Sequence, residues 1–79
     1  MKAYEIEQRY KDVKRYWTGE GFCLFEGASF IFDNINAAND VASCLLAIDK
    51  IQDTDGCPSK YFVLTIVDGI IETCTEVTE

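Results

Sequence analysis

The alternation of apolar and polar positions is most regular in residues 61–74, YFVLTIVDGIIETC. Two apolar runs flank an Asp-Gly pair, and this pair is the preferred loop of a tight β-hairpin. We therefore predict a hairpin over residues 60–77. A two-residue loop predicts the cross-strand pairs Val67–Ile70, Ile66–Ile71, Leu64–Thr73 and Val63–Cys74.

The two faces of this hairpin differ in composition. The more apolar face should meet a helix, and it carries Phe62, Leu64, Ile66 and Ile71. The mixed face should point away from the helix, and it carries Tyr61, Val63, Val67, Ile70, Glu72, Cys74 and Glu76. A contiguous apolar patch of this kind commonly marks an interface, which we prefer to the alternative of β-branched side chains tolerated in solvent.

A helix is predicted over residues 34–51. Asp33 or Asn34 can cap its first turn, and Gly56 and Pro58 form a stop signal after it. Its apolar stripe is predicted to consist of Ala37, Val41, Cys44 and Ile48, with Ala38, Ala42 and Leu45 as the adjacent row.

The N-terminal half contains further strand signals. Residues 3–10 alternate as a half-buried strand, with Tyr4, Ile6 and Tyr10 on one side and Glu5, Glu7 and Arg9 on the other. Residues 18–21, TGEG, predict a glycine-rich hairpin loop between two aromatic runs. Residues 28–32, ASFIF, should be a strand end or an extended lead into the helix.

The order of these elements is strands, one helix, strands. This order predicts one α+β domain over residues 1–79, built as two layers. We expect an antiparallel sheet of about four to five strands with one helix packed on one face.

Charge narrows the choice of partner. The chain has 7 basic and 14 acidic residues, which gives a net charge of −7. Residues 1–15 hold five bases against three acids, and residues 16–79 hold two against eleven. An acidic surface favours basic clefts and repels nucleic acid and anionic membranes, although such charge also serves solubility alone.

Residue types required for common chemistry are scarce. The chain has no histidine to act as a general base, and TGEG lacks the lysine of a phosphate-binding loop, so we expect no enzymatic activity.

The D-x-D-G segment at residues 53–56 would place Ile51 and Phe62 at the first and last ligands of a calcium loop, so we expect an acidic turn. No C-x-x-C pair indicates zinc, and we expect no cofactor and free thiols at Cys23, Cys44, Cys57 and Cys74.

The chain shows neither an apolar run near the length of a membrane span nor the pattern of a signal peptide. We therefore expect no membrane partner and a location in the cytoplasm of the producing or infected cell. Because that compartment is reducing, disulfides are not expected.

A binding function remains, and the acidic residues are its candidate contacts. An acidic, rigid domain can occupy a basic groove, with carboxylates in the place of phosphates. The predicted partner-binding residues on the outer hairpin face are Glu72, Glu76, Asp68, Tyr61 and Val63. The second choice is the acidic rim on the helix side, formed by Asp40, Asp49, Asp53 and Asp55.

The layout RYWTGEGFCLFEGASFIFDNINAANDVASCLLAIDK followed by KYFVLTIVDGII resembles small accessory proteins of bacteriophages and mobile elements, among them anti-CRISPR and other anti-defence proteins. The resemblance spans residues 15–71. It implies direct inhibition of a host nucleic-acid-processing complex by a protein that is often oligomeric or acidic on one face. The basic N-terminal segment departs from a uniformly acidic decoy.

Two alternative functions have sequence support. In one, the chain is a small self-associating structural or regulatory domain, and its open sheet face forms a homodimer interface. In the other, basic and aromatic side chains near the N-terminus bind single-stranded nucleic acid, and these are Arg9, Lys11, Lys14, Arg15 and Trp17. Repulsion by the acidic remainder of the chain makes the second alternative the weaker one.

Overall fold

The structure is an antiparallel sheet with one helix across one of its faces. The computed structural model describes residues 2–52 and 59–78. The described elements in chain order are β1 (Lys2–Tyr10), β2 (Val13–Trp17), β3 (Phe22–Cys23), a 3-10 helix (Glu26–Ala28), α1 (Ile35–Gln52), β4 (Lys60–Val67) and β5 (Ile70–Val77).

The sheet has five strands in the order β3-β2-β1-β4-β5. This arrangement confirms the predicted α+β class with an antiparallel sheet and one helix. β1 lies at the centre, where it pairs with β4 along Lys2–Arg9 and with β2 along Glu7–Tyr10. Side chains on the middle of β1 therefore have a neighbouring strand on each side.

α1 begins close to its predicted start. The Asn34 side-chain oxygen accepts hydrogen bonds from the backbone N–H groups of Asn36 (2.7 Å) and Ala37 (3.3 Å). This confirms Asn34, one of the two predicted residues, as the cap.

The helix contacts the sheet through a different row from the one predicted. The buried residues of α1 are Ala38, Ala42 and Leu46, whereas Ala37, Cys44 and Ile48 are exposed. The alanines are wholly buried because they lack bulk and let the helix approach the sheet closely. The row predicted as adjacent, Ala38, Ala42 and Leu45, thus matches the buried residues better than the predicted main stripe does.

The prediction of which hairpin face meets the helix is wrong. Tyr61 and Val63 are each 2% exposed and belong to the core beneath α1. The register explains this, because Val63 lies opposite Ile6, the fully buried apolar residue of β1, and Leu64 lies opposite Glu5. The face that carries Ile6 is the one that the helix covers.

The hairpin register also departs from the prediction at one point. The pairs Val67–Ile70 and Ile66–Ile71 are confirmed, but the register shifts between Thr65 and Ile66. The predicted pairs Leu64–Thr73 and Val63–Cys74 are therefore wrong, and the observed pairs are Leu64–Cys74 and Val63–Thr75. Because one extra residue reverses the side of every later side chain, Cys74 and Glu76 lie on the face of Leu64 and Phe62.

Residues 29–32 are an extended lead into the helix, one of the two alternatives predicted for residues 28–32, while Ala28 belongs to the 3-10 helix. Phe32 and Tyr4 exchange backbone hydrogen bonds of 2.8 and 2.9 Å, and the Phe30 N–H donates to the Trp17 carbonyl at 2.8 Å. Alternation puts Phe30 and Phe32 on the helix side, where their rings meet edge to face. Ser29 is consequently on the opposite side of the sheet.

A search of the described residues for a membrane-spanning helix finds none that is long and apolar enough.

Candidate functional site

The sheet face opposite α1, here called the open face, carries the candidate site. α1 lies on the other face, whereas the 3-10 helix Glu26–Ala28 borders the open face beside β2. By the strand register, its side chains include Glu5, Glu7, Arg9, Lys14, Tyr16, Lys60, Phe62, Leu64, Ile66, Ile71, Cys74 and Glu76.

Two glutamates are buried at the centre of the open face. Glu5 and Glu7 are each 4% exposed, and Leu64 beside Glu5 is 1% exposed. Both glutamates stand on β1, which has β4 on one side and β2 or residues 29–32 on the other. Burial of an ionised carboxylate is unfavourable without a compensating partner, so the surroundings of each need a separate account.

Glu7 has a cationic partner on its own strand. Arg9 donates a hydrogen bond from Nε to Glu7 and forms an ion pair with it. The Arg9 guanidinium also lies over the Phe62 ring, 4.1 Å from its centroid, and its Nη2 donates to the Cys74 thiol at 3.6 Å. The hydrogen bond to Glu7 is the main cause of a raised pKa of Arg9, so the guanidinium is held in its charged form.

Glu5 lies in a different environment two residues earlier. The Ser29 hydroxyl donates a hydrogen bond to its carboxylate. None of the basic side chains in the described ranges forms an ion pair with Glu5. Burial, followed by the nearby negative charge of Glu26, raises the pKa of Glu5.

An open groove of about 460 Å³ adjoins Glu5. Its lining consists of Glu5, Glu26, Gly27, Ser29, Ile31, Ile66 and Gly69. Ile31 is 55% exposed, so part of the apolar wall is in contact with solvent. The groove therefore combines two carboxylates with apolar walls.

Tyr16 lies on the open face, opposite Glu7. Burial is the main cause of a raised pKa of its hydroxyl, and the charges of Glu7, Glu26 and Glu5 add to it. The hydroxyl is thus held in its neutral form amid these three carboxylates.

The basic residues of the open face are separate from the groove. Arg9 lies opposite Lys14 on one side and opposite Lys60 on the other, which forms a row of three cations across adjacent strands. Glu5 lies four residues from Arg9 along β1. The open face therefore has a basic end and an acidic end.

The structure does not bring the predicted partner-binding residues together. Tyr61 and Val63 lie under the helix and are wrong as surface contacts. Glu72 and Glu76 are exposed on β5, and Asp68 is exposed in the hairpin turn. Of these, Glu76 shares the open face because it lies opposite Phe62.

The predicted rim on the helix side is placed only in part. Asp40 is exposed on α1. Asp49 is half-buried, and its carboxylate accepts a hydrogen bond of 2.9 Å from the Ser59 N–H. Asp53, Asp55, Gly56, Cys57 and Pro58 lie outside the described residues.

The basic and aromatic residues predicted for nucleic-acid binding lie on different surfaces. Arg9 and Lys14 are on the open face, whereas Arg15 lies opposite Gln8 and so belongs to the helix side. Trp17 packs against the core, and Lys11 is in the turn between β1 and β2. These residues form no continuous binding surface.

The groove is not predictable from the sequence. The alternation in residues 3–10 placed Glu5 on the side opposite Ile6, which is correct, but it gave no indication that this side is buried. That burial depends on β1 being the central strand and on residues 29–32 lying beside it. Neither feature has a local sequence signal.

Among the described residues, no group of three or more histidine, cysteine or acidic side chains is arranged to hold a metal ion. The described cysteines, Cys23, Cys44 and Cys74, are free thiols. No protein-family model, curated protein or solved structure matches the chain. The residues of the open face are therefore the basis for a functional proposal.

Proposed function

We propose that this chain is a non-enzymatic binding protein that inhibits a host nucleic-acid-processing defence complex by docking its open face on a basic surface of that complex. The observation that carries this proposal is the acidic end of the open face. A buried carboxylate, an exposed carboxylate and an exposed isoleucine line one groove there, on the sheet face opposite α1.

The composition of this end matches that of a protein interface. Ile31 and Ile71 are exposed and supply apolar area, while Glu26 supplies negative charge. Apolar contact contributes affinity, and charge complementarity speeds the encounter and selects the partner. The net charge of −7 steers the whole molecule towards basic surfaces. The resemblance of residues 15–71 to anti-defence proteins supports the choice of a defence complex as target.

The proposal is tested by phage challenge of host strains that each carry one nucleic-acid-targeting defence system. Expression of the wild-type chain should restore plaque formation against the system that it inhibits. Glu26→Lys, at the groove, should abolish this protection. Asp40→Lys makes the same change of charge on the helix and should leave the protection intact.

Two results would contradict the proposal. One is a panel in which the folded, expressed chain protects the phage from none of the systems. The other is protection that Asp40→Lys removes and Glu26→Lys does not, which would place the binding surface on the helix side. Circular dichroism of each variant shows whether a loss of protection reflects unfolding.

A second candidate function is self-association through the open face. The observation that favours it is the separation of the row Lys14–Arg9–Lys60 from the acidic end, because two copies in opposite orientation would match unlike charges. Light scattering after size-exclusion chromatography tests it. A dimer that Lys14→Glu and Glu26→Lys each dissociate, and that the double variant restores, would support it, whereas a wild-type monomer would exclude it at the concentration used.

A further inference from the structure

We propose that the groove beside Glu5 is a receptor for one arginine side chain of the partner protein. This inference rests on the proposed function, because it names the chemistry that the open face recognises.

The groove has the form that a long cationic side chain requires. Ile31 and Ile66 provide apolar walls along which a hydrocarbon stem can pack. Gly27 and Gly69 also line it, and neither has a side chain to obstruct it. Around Gly69 there is open space, since a Cβ added there would meet no atom within 4 Å. Glu5 lines the same groove, so a side chain that occupies the groove would lie beside Glu5.

The charges in the groove are not balanced from within the described chain. Glu5 and Glu26 are both acidic and repel each other. The one hydrogen bond that the described residues donate to the Glu5 carboxylate comes from Ser29. A carboxylate has roughly four lone-pair sites, so Glu5 retains capacity for further donors.

The pair formed by Glu7 and Arg9 shows what Glu5 lacks. On the same strand and the same face, Arg9 supplies Glu7 with a cation and stacks on the apolar surface of Phe62. The groove offers a carboxylate beside an apolar surface, that of Ile66, which is aliphatic where Phe62 is aromatic, and no cation in the described residues occupies it. An arginine from outside would complete the same arrangement.

Arginine fits this groove better than lysine does. Its guanidinium is planar, weakly hydrated and able to donate to two acceptors at once, so it can bridge Glu5 and Glu26. An ammonium group is a compact, strongly hydrated charge, and its transfer into an apolar groove is less favourable. Arginine is also enriched among the residues that dominate protein interfaces.

The test uses small probes of one side chain and nuclear magnetic resonance of the full chain. Nα-acetyl-arginine methylamide should cause saturable shifts of backbone amides at Glu5, Glu26, Ile31 and Ile66, with a dissociation constant of about millimolar. The citrulline analogue has the same shape without the charge, and it should cause no saturable shift. The lysine analogue should bind more weakly than the arginine analogue.

Variants of the chain assign the binding to the groove. Glu5→Gln combined with Glu26→Gln should abolish the saturable shifts caused by the arginine probe. The matched control Asp40→Asn removes an exposed carboxylate on the helix and should leave them unchanged. Loss in both variants would show that only net charge matters and would overturn the proposal.

Three further results would also overturn it. They are equal binding of the citrulline probe, binding of the lysine probe as tight as that of arginine, and absence of saturable shifts in the wild-type chain. The outcome is separable from that of the phage assay. Protection without arginine binding would refute the groove as receptor, and arginine binding without protection would refute the inhibitor function.

Discussion

Glu5 and Glu7 occupy equivalent positions and have opposite surroundings. They stand two residues apart on β1, on the same face, and each is 4% exposed. Arg9 forms an ion pair with Glu7 and lies over the Phe62 ring. Glu7 therefore has a counter-charge within the chain. Glu5 has a hydroxyl donor from Ser29 and a second carboxylate nearby, and its pKa is raised by burial and by Glu26.

The difference separates a structural role from a binding role. A buried carboxylate paired with a cation stabilises a fold only modestly. Removal of the cation is nevertheless costly, because the carboxylate is then buried without a counter-charge. A buried carboxylate without a cation lowers stability, and natural chains retain such groups mainly where function requires them. The pair at Glu7 therefore fits a role in the framework of the open face, and Glu5 fits the binding role proposed for it.

The largest effect is expected from removing the cation of the complete site. Arg9→Ala leaves Glu7 buried without a counter-charge and should lower the free energy of unfolding by roughly 2 kcal/mol, measured by urea denaturation at pH 7. This is below the 3–5 kcal/mol typical of a fully buried pair because the Arg9 side chain is 36% exposed. Arg15→Ala, a control on the same hairpin, should change stability by less than about 0.5 kcal/mol. Equal effects of the two variants would contradict a structural role of the pair.

A smaller loss is expected when the acid of the same pair is neutralised. Glu7→Gln retains an acceptor for Arg9 but removes the charge, which should cost about 1 kcal/mol. In the double variant with Arg9→Ala, the total loss should be smaller than the sum of the two single losses. Additive losses would show that Glu7 and Arg9 act independently.

The equivalent change at the other glutamate should have the opposite sign. Glu5→Gln removes a buried charge beside Glu26 and keeps an acceptor for Ser29. At pH 7 it should raise the free energy of unfolding by roughly 0.5–1 kcal/mol. If Glu5→Gln instead destabilises the chain as Glu7→Gln does, the contrast between the two sites is wrong.

The stabilisation by Glu5→Gln should depend on pH. Because the folded-state pKa of Glu5 is raised, its proton is bound more tightly in the folded state, and wild-type stability falls as pH rises through that pKa. Below about pH 4, Glu5 is protonated in both states, and the advantage of the variant should disappear. Thermal unfolding of the wild type and of Glu5→Gln, from below pH 4 to pH 7, measures the difference in stability between them. The contributions of the other carboxylates are common to both proteins and cancel in this difference. A difference that is constant with pH would contradict the assignment to Glu5.

The comparison also shows which features a sequence can predict. The Asp-Gly turn, the loop at Thr18–Gly21 and the cap at Asn34 depend on local backbone chemistry, and each lies where it was predicted. The face that meets the helix depends on the register between β1 and β4, which are far apart in the chain. Local alternation defines the two faces of a strand but does not show which face the helix covers. The predicted position of Val63, on the face away from the helix, is therefore wrong.

The site was harder to predict than the fold for the same physical reason. Glu5 and Ser29 are 24 residues apart, and their contact requires residues 29–32 to lie beside β1. The one-residue shift at Thr65 and Ile66, which brings Cys74 next to Arg9, has no local signal either. A strand of alternating charge such as residues 3–10 looks solvent-facing on its polar side unless it is known to be central.

The most direct test of this account is the pKa of the Glu5 carboxyl, measured by carbon-13 nuclear magnetic resonance with and without the arginine probe. Without the probe, Glu5 should titrate above the ordinary range of a glutamate. The arginine probe should lower this pKa, because a bound cation favours the ionised form, and the citrulline probe should leave it unchanged. An ordinary pKa of Glu5 without the probe, or a pKa that the arginine probe does not change, would contradict the claim that Glu5 binds a cationic side chain of a partner.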